Sequence, residues 1–390
     1  MITRRTGTYT QVETAGERVA AFVPVPLPPR NPSLSLDVQR RALLQRAEQA
    51  LAHLDLASDM VPALDWFIYA FVRKEAVISS QIEGTQASLM DLLTFEAGQE
   101  AAGSPDVEEI TNYLAALSYA RKELTRPSGL PLSLRLLNGA HRRLMHGARG
   151  AGKQPGEIRR SQNWIGGSRP GNAAFVPPPA NVLPGLLSGL EKYIHGGDKL
   201  APLIRIAVLH VQFETIHPYL DGNGRIGRLF ITLLLEQWKL LQRPVLYLSL
   251  HFKRHREDYY RRLSAVRTQG DWEGWVDFFL EGICSVAGEA TASARQLFGI
   301  VGRDRALVLA DPSTQVPALR LFELLPRHPI VSIALAMTLL GTTKPTAARA
   351  VSSLVRLGIL RERTGRRRAR SFGYTAYLEA LRVGTDLEPR

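Results

Sequence analysis

HPYLDGNGRIGR, residues 217–228, decides how this chain is read. Twelve positions hold a histidine, a carboxylate, a Gly-Asn-Gly run and two arginines. The stretch lies between two apolar helical patterns, PLIRIAVLHVQFETI before it and LFITLLLEQWKLL after it. Pro218 and Gly222 disfavour an unbroken helix through 217–222. One helix therefore ends near Ile216, and another starts near Asn223 or Gly224.

That places the loop at a helix N-terminus, where unsatisfied backbone N–H groups and the helix dipole favour an anion. Gly222 and Gly224 let the backbone approach a phosphate without a Cβ in the way. Asn223 adds a side-chain donor. Arg225 and Arg228, three apart at the start of the new helix, suit bidentate phosphate contacts. Asp221 would repel a phosphate unless a cation intervened, and Mg²⁺ held by one carboxylate plus phosphate oxygens resolves the conflict. His217, across the loop, can take a proton near neutral pH and so activate a hydroxyl for attack on phosphorus. A lone His-Pro is usually a helix stop, and a lone Gly-Asn-Gly is usually a turn. The signal lies in the whole set, in order, within one loop: anion clamp, metal carboxylate and base for phosphoryl-type transfer.

With its aromatic third residue, the stretch resembles the signature of the Fic family, HPFxxGNGRxxR, in which Asp or Glu commonly precedes the first glycine. Tyr219 in place of Phe is the one departure. The resemblance implies a mainly α fold: a helical core with a short β-hairpin flap, an N-terminal helical domain and, here, a C-terminal winged helix-turn-helix. It also implies a protein adenylyltransferase that uses ATP and Mg²⁺ to place AMP on a Tyr, Thr or Ser hydroxyl, releasing pyrophosphate. His217 would be the general base and Asp221 the Mg²⁺ ligand. Gly222, Asn223 and Gly224 would form the anion hole, with Asn223 on the α-phosphate. Arg225 would meet the β-phosphate and Arg228 the γ-phosphate, with Ile226 and Gly227 in the same nucleotide-binding stretch.

Further segments fit the same family. SSQIEG places Ser79, Glu83 and Gly84 in its inhibitory pattern, in which Glu83 would pair with Arg228 and displace the γ-phosphate. RRSQNWIGGSRPGNAAFVPPP sits where the family has its target-binding flap; Trp164, Ile165 and Gly166 would pair with a target segment as an added strand. REDYYRRLSAVR resembles the segment bordering the adenine, with Tyr260 and Leu263 as candidates.

The 390 residues suit two or three domains, and 45% of them are apolar, enough for a sizeable core. The expected division is an N-terminal domain with the inhibitory helix over 1–110, a catalytic core over 111–285, a linker helix over 286–315 and a winged helix-turn-helix over 316–385. Residues 22–33, FVPVPLPPRNPS, are punctuated by proline and must be extended. ALDWFIYAFVRKEAVISSQIEGTQASLMDLLTFE reads as one long helical pattern. Residues 156–182 read as a loose hairpin. Cys284 is the only cysteine, so no intrachain disulfide can form, and it is assigned to the core. Neither a signal peptide nor an uninterrupted apolar span is seen, so a cytoplasmic protein with no membrane partner is expected. His251 and His255, beside Glu257 and Asp258, have metal-like spacing but no third ligand, and read as a solvated helix face.

The net charge of +13 is uneven, with 13 Lys and Arg against 5 Asp and Glu over residues 316–390. That asymmetry suggests a polyanionic partner for the tail; a solvated basic face is the simpler alternative. In a winged helix-turn-helix, Lys344, Thr346 and Arg349 would face the major groove of DNA, and Arg366, Arg367 and Arg368 would contact phosphates. Such domains also serve as protein docking or dimerisation modules, and relatives often form homodimers. Two other readings stand beside the adenylyltransferase, which could also modify itself. One is a nucleotide-sensing, DNA-binding transcriptional regulator. The other is a Fic enzyme that removes AMP or transfers UMP or another phosphoryl-linked group, since the motif clamps phosphates without naming the base.

Overall fold

The computed structural model describes residues 4–59, 64–98, 104–147, 150–365 and 369–387. In chain order the elements are β1 (Gly7–Thr14), β2 (Glu17–Pro24), α1 (Val38–Asp59), α2 (Leu64–Ile82), α3 (Leu89–Glu96), α4 (Pro105–Thr125), α5 (Leu134–Leu144), α6 (Leu183–His195), α7 (Pro202–Ile216) and α8 (Asn223–Gln237). They continue with α9 (Ser249–Arg254), α10 (Arg256–Gln269), α11 (Trp272–Ala310), α12 (Val316–Leu324), β3 (Ile330–Ser332), α13 (Ile333–Leu340), α14 (Lys344–Arg356), β4 (Leu360–Glu362), β5 (Ser371–Tyr374) and α15 (Thr375–Arg382). The fold is mainly helical, with two small sheets. Two compact units divide it: residues 1–52, 112–244 and 248–286 in the first, and 53–111, 245–247 and 287–390 in the second.

The first unit is built on α7, whose residues from Leu203 to Ile216 are nearly all buried, and on α8, buried from Arg225 to Leu235. Continuous apolar runs of this length must be wrapped on every side. α10 covers them through Tyr259, and α11 through Trp275, whose indole N–H donates to Ala207 O at 2.8 Å. The antiparallel hairpin β1–β2 was not expected from the sequence. It pairs in register from Gly7↔Pro24 to Thr14↔Glu17, around Ala15 and Gly16 at φ 50° and 76°. Positive φ at both central positions matches the twist of a tight hairpin. Tyr9 and Phe22 face each other across the strands with ring centroids 5.3 Å apart.

In the second unit the pattern read as one long helix is broken. Gly84, at φ 98°, ends α2, and Ser88 caps a new helix, α3, in a reciprocal capping box with Asp91. Trp66 of α2 lies edge-on to Phe298 (5.2 Å) and Tyr377 (5.9 Å). Arg73 forks onto Glu96 with its shortest contact at 2.7 Å, and its guanidinium stacks 3.3 Å above the Tyr69 ring. Toward the C-terminus, α12 and α13 pack on α14, and the strands order β3-β5-β4, all antiparallel. The expected order of helix, helix, turn, helix and hairpin is present, with β3 and α15 added.

Candidate active site

α7 ends on His217, held in the left-handed region at φ 49° and ψ 63° while its N–H still donates to Phe213 O at 2.9 Å. A non-glycine residue there needs outside support. Arg159 supplies it. Its backbone N–H donates to Pro218 O (2.9 Å) and its Nε to His217 O (2.9 Å). The remaining guanidinium nitrogens donate to Ser161 O (3.0 Å) and Pro178 O (2.6 Å), the two ends of the flap. The side chain is 1% exposed. Burial pulls its pKa down to about 10, which still leaves it charged at neutral pH. One buried cation thus ties the carbonyl of the candidate base to both flap ends.

The loop is closed from within. Asn223 Oδ1 accepts from Tyr219 N and Asn223 Nδ2 donates to Tyr219 O, both at 2.8 Å. The sequence reading gave this amide to a phosphate; the structure uses it first to brace the turn. Tyr219 is fully buried, donates to Asn138 Oδ1 at 2.8 Å, and stacks on His141 with centroids 3.8 Å apart. Gly156 N donates to His141 Nδ1 (2.8 Å), so the ring proton sits on Nε2 and is given to Asp221 O at 3.0 Å. Burial pulls His141 down to about 4, so it is a neutral brace.

Gly222, at φ 76°, is the N-cap of α8, and a Cβ there would sit 2.8 Å from Met145 Sδ. Asp221 Oδ1 accepts from Gly222 N at 2.5 Å and lies 3.6 Å from Arg225 NH2. The Asp221 side chain is 47% exposed, whereas Arg225 and Arg228 are buried. Two buried arginines at the positive end of a helix with no acid in its first turn form an unfavourable arrangement that an anion relieves. Asp221 is the residue that could hold a cation. Among the described residues no three His, Cys, Asp or Glu cluster around one point, so a metal here would take its other ligands from substrate and water.

Ile226 and Gly227, expected beside the nucleotide, serve helix packing with their side-chain positions. Ile226 is fully buried, and a Cβ on Gly227 would meet Glu214 Oε1 at 2.1 Å. Gly227 O accepts from His210 Nδ1 (3.1 Å), and Tyr259 OH donates to His210 Nε2 (2.9 Å). His210, which the sequence reading did not single out, is pulled down to about 3 by burial and links α7, α8 and α10. Its only sequence signal was a histidine in an otherwise apolar run. Leu263 is buried and Tyr260 is 42% exposed.

The flap is thinner than expected. Ile165 and Phe175 exchange two backbone hydrogen bonds, at 2.8 and 3.1 Å, in a single antiparallel bridge. Gly166 and Gly167 turn at positive φ, and Trp164 is half-buried. The unforeseen hairpin supports it: Phe22 N donates to Val176 O at 2.9 Å, and Arg169 pairs with Glu17. His251, read as solvated, is buried 4.5 Å from the Phe278 ring, and Cys284 is only half-buried.

Other candidates lie in the second unit. Ser79 is fully buried in α2; Glu83 follows that helix and is exposed, as is Gly84. Lys344 and Arg349 are exposed on α14. Thr346 is half-buried, its hydroxyl 3.2 Å from that of Thr343. Arg366, Arg367 and Arg368 lie outside the described residues.

The Fic/DOC family N-terminal profile matches residues 41–122, and the Fic/DOC family profile matches 131–235, which contains the whole loop. The chain belongs to the Fic/DOC family. A Culex quinquefasciatus protein named protein adenylyltransferase Fic is 29% identical over 272 residues, covering 64% of this chain and 50% of its own. A probable protein adenylyltransferase of Aquifex aeolicus is 34% identical over 95 residues, or 24% of this chain and 26% of its own. The chain spans about half the length of the mosquito and fly Fic relatives it matches. A Fic family protein of Desulfovibrio desulfuricans has a similar fold, with a TM-score of 0.58 at 22% identity over 87% of this chain and 97% of its own. A Fic domain containing signaling protein of Bacteroides thetaiotaomicron gives 0.52 at 18% identity, over 64% and 97%. Among the described residues, no helix of this Fic/DOC protein is long and apolar enough to cross a membrane.

Proposed function

We propose that the chain is a protein adenylyltransferase that moves AMP from ATP to a Tyr, Thr or Ser hydroxyl of a protein. The observation that carries this is the pair of buried arginines at the start of α8, beside a loop whose base, His217, is held in place by Arg159. Relatives named protein adenylyltransferase support the choice of AMP as the group transferred.

In this reading the triphosphate lies over the N-terminus of α8. The backbone N–H groups of the Gly222–Gly224 turn meet the α-phosphate, and Arg225 and Arg228 meet the phosphates beyond it. The target hydroxyl, presented along the flap, gives its proton to His217 as its oxygen bonds to the α-phosphorus. The bond from that phosphorus to the bridging oxygen breaks, and pyrophosphate leaves. Asp221 would hold Mg²⁺, which when bound supplies charge neutralisation at the phosphates. Glu83 belongs to the proposal as a brake: its carboxylate would compete for Arg228 with the γ-phosphate, and the Ser79–Glu83–Gly84 pattern supports it.

The test uses ATP labelled at the α- or the γ-phosphate, with the purified Glu83→Gly protein and cell extract. Protein-bound label from α-labelled ATP alone, lost in His217→Ala, is the expected result. Label from the γ position would make the enzyme a phosphotransferase. Label unaffected by His217→Ala would remove the assigned base.

A further inference from the structure

α14 has the sequence KPTAARAVSSLVR, thirteen residues with no acid. Ala347, Ala350, Val351 and Leu354 bury one side against α12 and α13. Lys344, Pro345, Arg349 and Ser352 are exposed on the other. The C-terminal end is anchored, because Arg356 NH2 donates to Asp311 Oδ2 (2.7 Å) and Ser313 Oγ (2.6 Å). Lys344 and Arg349 make no ion pair with a described residue.

The hairpin that follows repeats the theme. Leu360 is buried, while Arg361 and Arg363 are exposed, as is Arg370 ahead of β5. The acids nearby are already engaged. Glu362 accepts from Thr364 N (2.8 Å) and Gly365 N (3.1 Å), and Glu323 pairs with Arg305 at 2.7 Å. Five exposed cations on one helix and one hairpin are therefore left without nearby compensation.

We propose that α14 and the β4–β5 hairpin form a docking surface for duplex DNA, with α14 in the major groove and Arg361, Arg363 and Arg370 on phosphates. The shape favours DNA over an acidic protein. The side chains between the cations are small (Pro345, Thr346, Ala348, Ser352), so the helix is slim enough for a groove about 12 Å wide. A protein partner would be expected to meet a large apolar or aromatic anchor. The first two turns of α14 offer none.

The experiment is fluorescence anisotropy of a labelled 30-bp mixed-sequence duplex with the full chain across a NaCl series, about 50–300 mM. The logarithm of the binding constant should fall linearly with that of the salt concentration. The variant Lys344→Ala/Arg349→Ala/Arg361→Ala/Arg363→Ala should bind about 100-fold more weakly at fixed salt, with the slope reduced by about 3 to 4. Arg361→Glu/Arg363→Glu, two exposed positions, should weaken binding too and guards against a folding defect. Exchanging the cations, Lys344→Arg/Arg349→Lys, should keep most of the affinity. No binding at 50 mM NaCl overturns the proposal, as does binding that the variants leave unchanged. Equal binding of poly-glutamate at matched charge would assign the surface to an acidic protein instead. None of these residues lies in the loop at 217–228, so transfer activity and DNA binding are read separately.

Discussion

His217 occupies a backbone conformation that a β-carbon disfavours, and it stays there because Arg159 grips its carbonyl. A lysine at 159 would keep the charge and lose the fork that reaches Ser161 and Pro178 as well. Arg159→Lys is therefore predicted to lower kcat about 10- to 100-fold, since small misplacements of reacting groups cost that much. Nucleotide affinity, set by α8, should change little. Comparing kcat with the ATP dissociation constant checks this; a loss confined to affinity would contradict it.

The neutral His141 makes a second residue-scale prediction. Burial holds its folded pKa at about 4, below the ordinary value of about 6.5. A group depressed in this way gives its full stability above about pH 6.5, and that stability is lost as pH falls toward 4. Denaturant unfolding of wild type and His141→Gln should show a larger stability gap at pH 7 than at pH 5. An equal gap at both would mean that His141 does not titrate on unfolding. None of this bracing was legible beforehand. The sequence displays which residues could do chemistry, but a buried arginine 58 positions upstream looks like any other charge until the fold brings it to the loop.

At the scale of elements, the break between α7 and α8 was readable because Pro218 and Gly222 exclude a continuous helix. Gly222 answers to two demands, a positive φ and 2.8 Å of clearance from Met145 Sδ. Gly222→Ala is predicted to cost roughly 1–3 kcal/mol of stability and to weaken nucleotide binding. A thermal melt with and without ATP measures both, and a variant with unchanged melting and binding would contradict the role. The N-terminal hairpin was missed although Ala15-Gly16 is a hairpin-type turn; the proline-rich stretch after it drew the reading toward extended chain. The single helix read over α2 and α3 failed because its apolar spacing continues across Glu83-Gly84. The capping pair Ser88 and Asp91 was the local signal to weigh. The flap keeps only the Ile165–Phe175 bridge, since the residues between are mostly Gly, Pro, Asn and Ser, which favour turns over a ladder.

At the scale of the whole molecule, the catalytic loop belongs to the first unit and Glu83 to the second. The family was legible from twelve residues, because a phosphate clamp needs those residue types in that order. The division into units was not, since each unit draws on separated stretches of chain. If Glu83 is the brake, removing its carboxylate should raise transfer without improving stability. The most direct measurement is intact mass of the purified protein after incubation with ATP and Mg²⁺, for wild type, Glu83→Gly and Glu83→Gly/His217→Ala. The account predicts a gain of one AMP in Glu83→Gly, little in wild type and none in the double variant. An AMP adduct that persists without His217, or equal modification of wild type and Glu83→Gly, would contradict it.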